Sequence, residues 1–126
     1  MKAIFDTSVL LATDVTELDG ELAISTSSLA ELHFGVLITA IPRPAPKRLR
    51  RVSFLERSFG SFPVDDEGAA RYGQLAAAVL EAGRHPRSRV MDLLIAATAL
   101  AHSARLYTRN ASDLVGIEHL IDVVIV

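Results

Sequence analysis

The sequence contains no cysteine and no tryptophan, aromatic residues make up only 6% of it, and just two of its 13 basic residues, Lys2 and Lys47, are lysines. Without cysteine there is neither a disulfide framework nor a thiolate metal site, a pattern that fits a reducing compartment. With few aromatics and half of its residues hydrophobic, the core must be aliphatic, built from Leu, Val, Ile and Ala packed between layers. No stretch approaches the roughly 18 apolar residues that a membrane span requires. The first residues carry one lysine and a short apolar run that Asp6 interrupts and Asp14 follows, which is too short and too charged for a signal peptide. The expectation is a cytoplasmic protein with no membrane association. Walker loops, G-x-G-x-x-G and the G-x-S-x-G elbow are also missing, so no motif supports nucleotide binding or acyl transfer. The four histidines, His33, His85, His102 and His119, lack zinc-type spacing and read as core or surface residues.

What is present is a chain of 126 residues, read as one domain over 1–126 and long enough to bury roughly two thirds of its unfolded surface. A formal charge of -2 and a pI near 6.0 argue against a general nucleic-acid glue. The arginines are nevertheless clustered, at Arg43, Arg48, Arg50 and Arg51 and again at Arg84, Arg87 and Arg89.

Ala3 to Phe5 is an apolar run that meets Asp6, Thr7 and Ser8 before a second apolar run begins, the pattern of a buried strand turning into a helix over Thr7 to Ala12. After a polar loop from Asp14 to Glu21, Leu22 to Ile24 reads as a second strand. Ser25 to Ser28 offers several N-caps for a helix to about Thr39, and Pro42, Pro44 and Pro46 end it. A third helix begins near Pro46 with Leu49, Val52, Phe54, Leu55 and Phe59 on one side. Phe62 to Val64 is a weak third strand, and Asp65 to Glu67 open a helix that runs to Gly83. Arg84 to Arg89 is a basic loop, and Val90 to Ala101 is apolar nearly all round with Asp92 as its one charge, as expected of a central buried helix. Leu106 to Thr108 is a fourth strand, Asn110 to Val115 a short helix and Val123 to Val126 a closing strand. Strands alternating with helices predict a three-layer α/β/α sandwich around a central parallel sheet of four to five strands.

Four acids, Asp6, Glu31, Asp92 and Asp113, each fall at a strand end or in the first helical turn beyond one, hence at one edge of the sheet. Each has a local explanation. Ser28 to Glu31 spells a capping box, Asp92 can complement its helix dipole, and Asn110 with Asp113 is a capping-box variant. Asp6 is harder to explain locally, because a carboxylate beside a buried strand loses hydration at a cost of several kcal/mol unless a cation or donors compensate. Four segments delivering carboxylates to one rim is what a hard divalent cation requires, and oxygen ligands select Mg²⁺ or Mn²⁺.

At Asp6-Thr7-Ser8, Ser28-Leu29-Ala30-Glu31, Asp92-Leu93-Leu94-Ile95-Ala96-Ala97 and Thr108-Arg109-Asn110-Ala111-Ser112-Asp113 the chain resembles the PIN domain, in particular the small VapC-type toxins of bacterial toxin-antitoxin modules. The resemblance covers the whole chain, although Leu114 stands where such toxins often carry Phe and the segment between Ala12 and Leu22 is brief. It implies an endoribonuclease using Mg²⁺ or Mn²⁺, with Asp6, Glu31, Asp92 and Asp113 as catalytic metal ligands and Thr7, Ser8, Thr108 and Asn110 as polar neighbours. Metal-activated water would attack an RNA phosphodiester and leave a 5′-phosphate. Arg48, Arg51, Arg87 and Arg89 are candidates to hold the RNA backbone. The implied partners are RNA, a cognate antitoxin and a second copy of the chain, giving a homodimer and a heterotetramer or larger assembly with antitoxin. The competing readings are a non-catalytic binding module, suggested by the apolar run Phe34 to Ile38, and a phosphoacceptor receiver domain, which needs a late-strand lysine that neither Lys2 nor Lys47 supplies.

Overall fold

In the computed structural model, which describes residues 1–12, 18–38 and 44–126 (for 44 and 45 the backbone alone), the elements are β1 (Lys2–Phe5), α1 (Thr7–Leu10), β2 (Glu21–Ser25), α2 (Thr26–Leu37), α3 (Pro44–Ser58), β3 (Gly60–Phe62), α4 (Asp66–Glu81), α5 (Val90–Ala101), β4 (Arg105–Thr108) and β5 (Val123–Ile125). Two 3-10 turns, Pro86–Arg89 and Ala111–Leu114, lead into α5 and out of β4. The expected loop over 14–17, Thr39 and Pro42, expected at the close of α2, and Arg43 lie outside the described residues, while Pro44 and Pro46, expected to end α2, belong to α3. Among the described residues, no helix is long and apolar enough to cross a membrane.

The five strands form one parallel sheet in the order β3-β2-β1-β4-β5, the α/β sandwich that the alternation of elements predicts. Side chains on a strand alternate between faces, and β1 shows this directly. Ile4 joins Leu75 and Val79 of α4, Leu93 and Ile95 of α5 and Leu106 of β4 on one face. Ala3 and Phe5 join Val9 of α1, Leu32 of α2, Val52 and Leu55 of α3 and Tyr107 of β4 on the other. The strand is therefore the middle of three layers and is buried on both sides. Phe59, expected on α3, instead follows it and sets its ring edge-on to Phe5, 5.2 Å away.

Element boundaries differ from expectation where a backbone donor or cap decides them. The third strand is Gly60–Phe62 and not Phe62–Val64, because Pro63 has no N–H to give to the ladder. α2 is capped by Ser25, whose hydroxyl accepts from Ser28 N at 3.0 Å. Ser28 is thus the third residue of the helix, and Glu31 lies in its second turn rather than its first. α4 ends at Glu81, and Gly83 follows in the left-handed conformation, φ +80, that ends a helix at low cost.

Leu93 is fully buried at the centre of the α4/α5 layer. Leu93→Ala is expected to lower stability by about 2–5 kcal/mol, read from the midpoint of urea denaturation.

Candidate active site

The order of the strands places a crossover reversal between β1 and β4, since β2 and β3 continue to one side of β1 while β4 and β5 lie on the other. Ligands of open α/β sheets bind at the carboxyl ends of the strands beside such a reversal. Asp6 stands there at the end of β1, and its backbone N–H extends the ladder to Tyr107 O at 2.9 Å.

Two hydroxyls hold its carboxylate from opposite sides. Ser8 Oγ donates to Asp6 Oδ1 and accepts from Arg109 N at 3.0 Å. Thr108 Oγ1 donates to Asp6 Oδ2 and accepts from Asn110 N at 3.0 Å. Each hydroxyl therefore relays a backbone N–H of the segment leaving β4 to one oxygen of Asp6, and because each has a single proton its direction is fixed. Val9 N adds a third donor, 3.2 Å from Oδ1, which makes Asp6 also the N-cap of α1. These donors supply the compensation that a half-buried carboxylate needs.

Glu31 is reached from the same segment, as Thr7 Oγ1 donates to Glu31 Oε1 at 2.7 Å with Ser28 Oγ 3.4 Å from the same hydroxyl. The capping-box explanation of Glu31 does not apply, because the cap is Ser25. Nor does the one offered for Asp113. Asn110 makes no side-chain cap bond, and the turn is closed by Asp113 N donating to Asn110 O at 3.1 Å. Asp92 sits in the first turn of α5, whose N-cap position, Arg89, also lacks a side-chain cap bond.

The carboxyl of Asp92 is pushed up from 3.8 to about 6, first by burial and then by the charges of Asp113, Glu31 and Asp6, with Arg89 opposing them. The three other acids thus all act on Asp92. Their oxygens do not close into a cage: among the described residues no group of three or more His, Asp or Glu side chains stands close enough to hold a metal ion. The donors are all hard oxygens, which suit Mg²⁺ or Mn²⁺ in kind.

The basic patches flank these acids. Arg48 and Arg51 of α3 line a cavity of about 260 Å³ that also touches Thr7 and Glu31. Arg51 Nη2 additionally donates to Leu10 O at 2.9 Å, so part of this guanidinium serves the open end of α1. On the other side Arg89 Nη1 donates to Ser112 O at 2.6 Å and lies 3.9 Å from Asp113 Oδ1, while Arg87 is exposed. The anchoring of Arg89 to Ser112 and the relay through Ser8 were not read from sequence, since 23 and 101 residues separate the partners and no local pattern marks them.

A family model for the PIN domain matches residues 3–112, and the chain belongs to that family. Ribonuclease VapC4 of Mycobacterium tuberculosis (strain ATCC 25618 / H37Rv) is 31% identical over 115 residues, 86% of each chain. Among solved structures, the VapBC-5 toxin-antitoxin system of Mycobacterium tuberculosis superposes with a TM-score of 0.81 at 29% identity, covering 99% of this chain and 97% of the other. VapBC2 from Rickettsia felis, bound to a DNA fragment from its promoter, reaches 0.78 at 18% identity over 100% and 99%, a likeness of fold.

Without metal, folded Asp92 keeps its proton to higher pH than the unfolded chain does. Its contribution to stability is full below pH 3.8 and is lost as pH rises through about 6. Solvent screening of this half-buried group holds the effect to about 1–2 kcal/mol. Denaturant titrations between pH 4 and 7 in chelator should show that loss in the wild type and a flatter profile in Asp92→Asn.

Proposed function

We propose that the protein is the toxin of a toxin-antitoxin module, a metal-dependent endoribonuclease that hydrolyses RNA phosphodiester bonds and acts in the cytoplasm. The observation that carries this reading is the acidic strand edge itself, with Asp6 held at the end of β1 by Ser8 and Thr108, Glu31 reached from the next residue by Thr7, and the carboxyl of Asp92 pushed up to about 6 by burial and by the charges of Asp113, Glu31 and Asp6. Charge concentrated in this way at a strand edge is relieved by a divalent cation and opposes phosphate without one. Family membership and the name of the ribonuclease relative support the same chemistry.

In this reading Asp6, Glu31, Asp92 and Asp113 are the catalytic acids and hold Mg²⁺ or Mn²⁺. Once bound, the ion lowers the pKa of water and offsets charge developing on the phosphoryl oxygens. Ser8 and Thr108 orient the Asp6 carboxylate, Thr7 orients Glu31, and Asn110 fixes the Thr108 hydroxyl through its backbone N–H. Above pH 6 Asp92 is ionised and available as a ligand. Arg48 and Arg51 on the Glu31 side, and Arg87 and Arg89 on the Asp113 side, draw the RNA backbone across an acidic centre.

The partner is a cognate antitoxin. The solved relatives are toxin-antitoxin complexes, and α2 ends in apolar residues that this chain leaves in water, with Phe34 62%, Leu37 82% and Ile38 61% exposed. Leu49 and Phe54 of α3 are exposed as well. A second copy of the chain and an assembly of two toxins with two or more antitoxins complete this reading.

Purified protein with Mn²⁺ should cleave RNA to 5′-phosphate ends, and Asp6→Asn should reduce the rate at least 100-fold. Products ending in 2′,3′-cyclic phosphate would exclude the mechanism. Millimolar Mn²⁺ should raise the melting temperature of the wild type but not of a variant with all four acids made neutral. Phe34→Glu with Leu37→Glu should abolish antitoxin capture in a pull-down while sparing cleavage.

A further inference from the structure

Arg89 reaches from the start of α5 to the turn that carries Asp113. Its Nη1 donates to the carbonyl of Ser112 at 2.6 Å, the same nitrogen lies 3.9 Å from Asp113 Oδ1, and its charge bears on Asp92. Its side chain is only 21% exposed, whereas Arg87 two residues earlier is an exposed residue. It occupies the N-cap position of α5 with a backbone, φ -133 and ψ 27, that is not helical. The guanidinium thereby leaves the helix start and crosses to the 3-10 turn Ala111–Leu114, the turn that carries Asp113.

We propose that Arg89 is a positioning residue that ties the Asp113 turn to the first turn of α5 and so sets Asp113 against Asp92 for joint use of one divalent cation. The inference rests on the metal-dependent reading above. The turn needs such a tie, because it is a single 3-10 turn whose cap residue gives no side-chain bond. Leu114 holds it in the core at one end and Asp113 N closes it onto Asn110 O, and the Arg89 bond to Ser112 O is its link to the start of α5. Arginine suits the task better than lysine. Its planar fork offers several donors in fixed directions, so one side chain can bond a carbonyl and face a carboxylate at once. A cation beside a metal site also repels the metal, so the proposal requires that the gain from placing Asp113 outweigh that repulsion.

The test measures Mn²⁺ binding to the whole protein without RNA, by electron paramagnetic resonance of free Mn²⁺ and by the Mn²⁺-induced rise in melting temperature. A role for Arg89 confined to RNA phosphates leaves both readings unchanged. Arg89→Met should weaken Mn²⁺ binding about tenfold, and Arg89→Lys should fall between it and the wild type. In an Asp113→Asn background Arg89→Met should have little further effect, because the arginine acts through that acid. Circular dichroism and the melting temperature in chelator establish that each variant is folded, and Arg89→Lys keeps the test open if Arg89→Met is not. Unchanged or tighter Mn²⁺ binding in Arg89→Met, or equal loss in both backgrounds, overturns the positioning role. Absence of any Mn²⁺ response in the wild type overturns the metal-dependent reading itself, a separate and distinguishable failure.

Discussion

The contact on which the site depends is the one between Asp6 and Thr108. It joins the end of the central strand β1 to the end of its neighbour β4 across the point where the sheet reverses its winding. A carboxylate left there without donors would lose several kcal/mol of hydration. Ser8, Thr108 and Val9 N answer that loss and also aim the group, each oxygen being held from its own side. The backbone leaving β4 takes part through Arg109 N and Asn110 N. Position and orientation of Asp6 are therefore properties of the sheet rather than of a loop.

Around this fixed carboxylate the other acids are arranged at less cost. Glu31 is presented by the second turn of α2 and steadied by Thr7, Asp92 by the first turn of α5, and Asp113 by a short turn tied to Arg89. Repulsion among them falls on Asp92, the member whose burial already disfavours charge. Placing like charges together in this way weakens the fold, a cost common at functional sites.

Much of this was legible in the sequence, for identifiable reasons. An apolar run that ends in an acid marks β1 and Asp6, because a parallel strand buried on both faces has no room for alternation. The apolar circumference of Val90–Ala101 marks α5, and Gly83 marks the stop of α4. The third strand begins two residues before the apolar pattern at Phe62 to Val64, because Pro63 has no donor for the ladder. Four successive hydroxyl residues, Ser25 to Ser28, each make a good cap, and only the length of β2 selects Ser25. That choice moves Glu31 from a capping box into the second turn and removes its local explanation. The relays from Arg109 and Asn110 and the tie from Arg89 to Ser112 had no signature, since they exist only once distant segments are folded together.

The bond between Thr108 and Asp6 spans 102 residues of chain. Contacts of such separation form late in folding, after local helices and neighbouring strands have closed the shorter loops. During synthesis β1 leaves the ribosome long before β4 does, so a nascent chain carries Asp6 without the threonine that aims it. The carboxylate of a growing polypeptide is consequently unaimed, and its fixed orientation arises in one late step, when β4 docks beside β1.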